Sequence, residues 1–168
     1  MTTNQIIVVT CAYMVALVAV IYFTRATSRR VVGALTGGAA VGFMGIGAIV
    51  LGNTLGLWRV PIVWTPYFLV LFYLGLSISV TPIYLVTWRV DRRFGWRGLA
   101  VCLVVGAIIG PPRDYLYAAK YPAWMVFAPG VAPILADAAT YIGIVAIGHA
   151  VMRLVAGPSR KDRLRNES

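Results

Sequence analysis

The sequence predicts an all-α protein, a polytopic bundle of five transmembrane helices. Three observations carry this expectation. Of 168 residues, 60% are hydrophobic and 12% are charged, whereas a soluble domain carries about 25% charged residues. The apolar residues gather in five stretches close to the ~20 residues a helix needs to cross a hydrocarbon core. The 15 lysines and arginines fall mostly in short clusters between those stretches, which is how membrane topology is written. This composition excludes a disordered chain, a disulfide-stapled secreted module and an ordinary cytosolic enzyme. A net charge of +10 would point to nucleic acid in a soluble domain. Here the clusters already have a topological explanation and no nucleic-acid-binding motif accompanies them, so nucleic acid is not an expected partner.

The first span is expected at residues 6–23, closed by Arg25, Arg29 and Arg30. A signal peptide carries positive charge before its apolar core and a small-residue cleavage site after it. Residues 1–5 have no basic side chain and the arginines follow the core, so this reads as a retained helix. The second span, 31–52, is uncharged and rich in glycine. The third, 66–88, is closed by Arg89, Arg92 and Arg93.

The fourth span, 94–112, is interrupted by proline. Residues 98–110 would rise only about 20 Å as a helix, which is short for a membrane. The helix either starts earlier, near Phe94, or breaks at Pro111-Pro112 and restarts, since proline suits the first turn of a new helix. Lys120, Tyr121, Pro122 and Trp124 then read as an interfacial or re-entrant segment. The fifth span, 132–155, contains Asp137 and His149. Residues 1–157 form one transmembrane domain. Residues 158–168 form a basic cytoplasmic tail, placed either against anionic lipid headgroups or in water as a topology anchor.

Alternating the loops puts twelve of the fifteen basic residues on one side and leaves only Arg59, Arg113 and Lys120 on the other. The positive-inside rule then gives an N-out, C-in chain. Short loops and arginine-rich clusters fit a bacterial plasma membrane. Trp58, Trp64, Tyr67 and Trp124 should mark the outer interface, and Tyr22, Tyr84, Trp88 and Trp96 the inner one. Cys11 and Cys102 should lie at different depths, too far apart for a disulfide.

The second helix reads as a packing surface. Gly33/Gly37 and Gly38/Gly42 each have the small-xxx-small spacing that lets helix backbones approach closely, and Gly45 extends the row. The row serves packing within the chain or self-association into a homo-oligomer. In the third helix Ser77, Ser79, Thr81 and Pro82 point to a kink, with hydroxyls meeting the backbone groups that proline frees.

The strongest functional signal spans the fourth and fifth helices. Asp137 is the only acidic residue within a clearly delimited span. An ionised carboxylate in lipid costs at least about 2.5–3.5 kcal/mol, so it must face the bundle interior and find a partner. Arg113 should sit at similar depth, which predicts an Arg113–Asp137 ion pair. Tyr141 lies one turn beyond Asp137 on the same face, Thr140 flanks that face, and Tyr115 and Tyr117 can line it from the fourth helix. Arg113, Asp114, Tyr115, Tyr117, Asp137 and Tyr141 are therefore the candidate ligand-binding set, with Asp114 and Asp137 as candidate acids. The competing readings are a structural clamp and contact with a partner subunit. Asp114, just after two prolines, also reads as a turn or cap residue. His149 is expected as a packed histidine or a proton-responsive group.

One histidine and two separated cysteines do not make a zinc site, and no metal or cofactor is expected. There is no P-loop, no GxGxxG, no haem-attachment motif and no aspartate-rich diphosphate motif. Ser77 lacks the glycine that follows a nucleophile in an elbow, and no carbonyl-filter sequence suggests a channel. Three function classes survive. The first is a non-enzymatic membrane component, an accessory subunit or a small-molecule- or lipid-binding protein with a polar pocket in the outer half of the bilayer. The second is an intramembrane enzyme acting on a lipid or isoprenoid, with Asp114 or Asp137 and nearby tyrosines as acid/base groups. The third is a small transporter working as a dimer.

Overall fold

Five helices build the molecule: α1 (Thr3–Thr24), α2 (Ser28–Thr54), α3 (Pro66–Phe94), α4 (Trp96–Lys120) and α5 (Ala132–Ala156). Two short strands, β1 (Trp58–Arg59) and β2 (Val126–Phe127), lie in the α2–α3 and α4–α5 connections. The computed structural model describes residues 3–61 and 65–158. Trp64 and the basic tail with Arg160, Lys161, Arg163 and Arg165 lie outside the described residues. All five helices are long and apolar enough to cross a membrane, in agreement with the five apolar stretches. They overrun those stretches: α3, with 29 residues, is about 44 Å long at 1.5 Å per residue. Its last turns therefore carry Arg89, Asp91, Arg92 and Arg93 as helix rather than loop.

α2 sits between α3 and α5 and runs antiparallel to both. The glycines show how. An added Cβ at Gly33 would meet Ala156 and Met152 of α5, and one at Gly37 would meet the Gly148 backbone of α5. One at Gly38 or Gly42 would meet Ser77, Thr81 or Tyr73 of α3. The two interleaved small-xxx-small pairs thus serve two different neighbours within the chain. Consecutive positions on a helix point about 100° apart, so Gly37 and Gly38 can face α5 and α3 at once. Gly45 makes only an ordinary contact with Leu76, and Gly47 meets nothing; they are the part of the row not closely covered.

β1 and β2 pair antiparallel, Trp58 with Phe127 and Arg59 with Val126. They tie the α2–α3 and α4–α5 connections together at what we call the ribbon end. Asn53 supports the ribbon by donating from Nδ2 to the Val60 carbonyl at 3.2 Å and accepting the Val60 N–H at Oδ1 at 2.9 Å. The α1–α2 and α3–α4 turns and the end of α5 lie opposite, at the arginine end. There the α3–α4 turn is a single residue, Gly95, whose φ of 65° is open to glycine without a Cβ clash.

One sequence expectation is refined here and another corrected. Tyr84 and Trp88, expected near the inner interface, turn into the bundle and are core residues at 0% exposure. Tyr84 fills the space left by the bare backbones of Gly37 and Gly148, and its hydroxyl donates to the Ile144 carbonyl at 3.2 Å. The fourth helix is not interrupted: α4 runs through Pro111-Pro112 to Lys120. Each proline costs one helical hydrogen bond, but a break would leave more backbone groups bare in an apolar surrounding. In α3, Pro82 also lies inside the helix. The hydroxyls of Ser77, Ser79 and Thr81 bond the carbonyls of Tyr73, Leu76 and Ser77, not that of Ile78, the one proline frees.

Candidate functional site

The buried face of α5 is a stripe at four-residue intervals: Pro133, Asp137, Tyr141, Val145, His149. Side chains four apart stack on one helix face, so this spacing delivers Asp137 and Tyr141 to one end of the bundle and His149 to the other, with Val145 between them. Two clusters result.

At the ribbon end, α4 presents Arg113 and Asp114 to Tyr141. Arg113 donates from Nε and Nη2 to Asp114 Oδ1, at 2.9 and 2.8 Å. Its Nη2 also donates to the Tyr141 hydroxyl, which donates in turn to Asp114 Oδ2 at 2.8 Å. The three side chains close a ring, and the Arg113 guanidinium lies over the Tyr141 ring, 5.3 Å from its centroid. Tyr141 reaches this position because Gly110 leaves room for its ring.

The ring overturns the expected Arg113–Asp137 ion pair. Because α4 stays helical, Asp114 is on hand for its neighbour, and the Arg113 guanidinium is engaged by Asp114 and Tyr141. Asp137 is 5% exposed and its Oδ2 has no hydrogen-bond partner. Tyr115 Oη is buried and equally without a partner, within electrostatic reach of Asp137. The Tyr115 ring stacks on Phe127 of β2, centroids 4.0 Å apart, and Phe127 meets Trp58 of β1 edge-on. Tyr117 does not join this group; it is exposed and stacks on Tyr121. Thr140 bonds the Ala136 carbonyl of its own helix. Of the six expected ligand-binding residues, the structure therefore gathers five: Arg113, Asp114, Tyr115, Asp137 and Tyr141. The open cleft nearby is lined by Asn53, Trp58, Arg59, Val126 and Phe127 among others and includes none of these five.

The second cluster, at the arginine end, is one that sequence reasoning missed. Asp91 of α3 and His149 of α5 are both buried, with His149 Nε2 3.7 Å from Asp91 Oδ2. The other imidazole nitrogen, Nδ1, is 3.1 Å from Thr87 Oγ1, and Thr87 also donates to the Tyr84 carbonyl. Arg30 of α2 is fully buried. Its guanidinium lies over Trp88 and donates to the Pro158 carbonyl at 3.0 Å. Three helices thus contribute one charged or titratable side chain each. The signal was present as spacing: Thr87 and Asp91 are one turn apart on α3, and His149 is three four-residue steps from Asp137. It went unread because Arg30 and Asp91 sit beside topology-setting arginines and look like loop residues.

Among the described residues, no group of three or more His, Cys, Asp and Glu could hold a metal ion. Comparison with known proteins adds no family: no family model, no curated protein and no solved structure matches the chain.

Proposed function

We propose that this chain is a small non-enzymatic membrane component that binds a small molecule or lipid at the ribbon end, around Arg113 and Asp137. One observation carries the reading: Asp137 is almost wholly buried, yet Oδ2 has no partner. A buried polar atom without a hydrogen bond costs about 1–3 kcal/mol, and intramembrane ionisable residues are functional by default. A ligand that satisfies Oδ2 removes that cost.

The finer placement belongs to the same reading. With twelve of fifteen basic residues at the arginine end and in the tail, that end faces the cytoplasm of a bacterial plasma membrane. The ribbon end then lies in the outer half of the bilayer, and the tail lies against anionic headgroups. Self-association through α2, where it occurs, uses the segment around Gly45 and Gly47.

The other two classes are weaker on specific grounds. Both oxygens of Asp114 are engaged, by Arg113 and by Tyr141, so it is poorly placed as a general acid. A transporter needs a polar path between the clusters. Val145 is buried between them, and the Tyr84 ring lies tight against Gly148.

The test is native mass spectrometry of the protein released gently from its own membrane, wild type beside Asp137→Asn. The expected result is a small molecule bound to wild type and lost from the variant. A bare chain in both samples, or a bound protein that survives the substitution, refutes the reading.

A further inference from the structure

We propose that the ribbon-end site takes a primary ammonium group, carried by an ethanolamine lipid headgroup or by a free amine. The proposal rests on the reading of this site as a ligand site and names the ligand's chemical class.

Charge balance comes first. Arg113 and Asp114 neutralise each other through two hydrogen bonds to one oxygen. Tyr141 completes the ring as both acceptor and donor. What remains is the Asp137 carboxyl group, 95% removed from solvent, which in its ionised form is a third charge of negative sign. An anionic ligand would meet Asp137 and Asp114 together. A neutral apolar ligand would leave Oδ2 unsatisfied. A cation answers the charge.

Hydrogen bonding then selects among cations. Three buried side-chain atoms at the ribbon end are without partners among the described residues: Asp137 Oδ2, an acceptor, Tyr115 Oη, which can accept as well as donate, and Trp58 Nε1, a donor only. A quaternary ammonium carries no N–H and satisfies none of them. A hard metal ion needs more oxygen ligands than these two oxygens, and the described residues form no metal-holding group. A primary ammonium brings a positive charge and three N–H donors, in number enough for the two acceptors, Asp137 Oδ2 and Tyr115 Oη. Hydrogen bonds between an ionised donor and an ionised acceptor are about twice as strong as neutral ones.

The surroundings fit a headgroup. The Arg113 side chain is 48% exposed and lies beside the site. In an ethanolamine lipid the phosphate sits two carbons from the ammonium, and Arg113 is the partly exposed cation of this cluster available to it. Tyr117, Tyr121 and Trp124 stack in sequence from the end of α4 into the following loop, and such rings favour headgroup depth.

The experiment reconstitutes the full chain in nanodiscs holding phosphatidylethanolamine, phosphatidylcholine and phosphatidylglycerol in equal amounts. Native mass spectrometry then counts the lipids that stay bound. The expected result is retention of phosphatidylethanolamine over each of the other two by about tenfold. That preference should vanish in Asp137→Asn and weaken in Tyr115→Phe. Titration with ethylammonium chloride separates the two sources. Displacement of retained phosphatidylethanolamine identifies a lipid ligand. Ethylammonium binding to wild type without any lipid preference identifies a free amine. Equal retention of the three lipids with no ethylammonium binding overturns the proposal. If a different Asp137-dependent molecule is then found on the native protein, the ligand-site reading survives and only the ammonium class is lost. If none is found, both fall. The three-lipid comparison uses wild type alone, so a variant that fails to fold does not obscure it.

Discussion

Asp91 and Asp137 are both 5% exposed, and both lie on long helices of one bundle, yet their surroundings have opposite characters. Asp91 faces His149 at 3.7 Å, and Arg30 and Arg153 add positive charge close to that histidine. Thr87 holds the far side of the imidazole. Asp137 has Arg113 nearby, but that guanidinium is committed to Asp114 and Tyr141, and Oδ2 is left without a bond. Burial alone therefore says little about a charged group's role. What matters is whether the neighbours consume its hydrogen-bonding capacity. The arginine-end cluster, drawn from three helices, sets Asp91 against positive and titratable groups, although His149 Nε2 and Trp88 Nε1 in it also have no hydrogen-bond partner. At the ribbon end the open atom is a carboxylate oxygen whose nearby guanidinium is engaged elsewhere, which is what a ligand requires.

The largest expected effect tests the arginine-end cluster. Removing one partner of a buried charged group leaves the others uncompensated, at a cost of about 3–5 kcal/mol. Asp91→Ala should lose about that much, measured by denaturant unfolding of the purified protein in detergent. A loss below about 1 kcal/mol, the range of exposed pairs, would place Asp91 in water and dissolve the contrast.

The next effect concerns the barrier between the clusters. A Cβ at Gly148 would collide with the Tyr84 ring, which is fully buried and has nowhere to go. Gly148→Ala should cost about 1–3 kcal/mol, the usual penalty for overpacking. It should do so without altering ligand retention at the ribbon end. Loss of the ligand at unchanged stability would mean the two ends communicate.

These two positions also show what the sequence carries and what it hides. Helix number and order were legible because apolar run length is a one-dimensional property. Gly33, Gly37, Gly38 and Gly42 were legible as a packing surface because small-residue spacing fixes which face comes close. The division of that row between α3 and α5 was not legible, since it depends on which helices become neighbours. Arg113, Asp114, Asp137 and Tyr141 were legible as a group. Their bonding was not, because it turned on whether α4 bends at Pro111-Pro112. Asp91 and Arg30 were hidden for a different reason. Arginine clusters mark helix ends in sequence, while the helices continue past the apolar run and carry those residues into contact.

The third prediction has the opposite sign. An unsatisfied buried carboxylate oxygen opposes folding when no ligand is bound. Asp137→Leu replaces it with apolar volume. In detergent washed free of lipid, this variant should be more stable than wild type by about 1–3 kcal/mol, while Asp91→Leu should be less stable. The same substitution should abolish the bound small molecule, so stability and binding part company at one residue. Destabilisation of Asp137→Leu would show that Oδ2 is satisfied within the chain, and the ligand reading would lose its main support.

The smallest effects compare two hydroxyls. Thr87→Val removes the partner of His149 Nδ1 at a site sealed from water, with Thr87 2% exposed. The nitrogen is then left without a bond, and the loss should be about 1 kcal/mol or slightly more. Tyr141→Phe removes a hydroxyl that makes two hydrogen bonds, to Arg113 and to Asp114. By count alone it should cost more. It should cost less, about 0.5 kcal/mol, because Arg113 and Asp114 are 48% and 21% exposed and water can replace the lost contacts. Paired unfolding curves for the two variants decide the matter. If Tyr141→Phe proves the more damaging, the ring at the ribbon end is a structural element in its own right. The difference between the two ends would then lie only in the orphaned oxygen of Asp137.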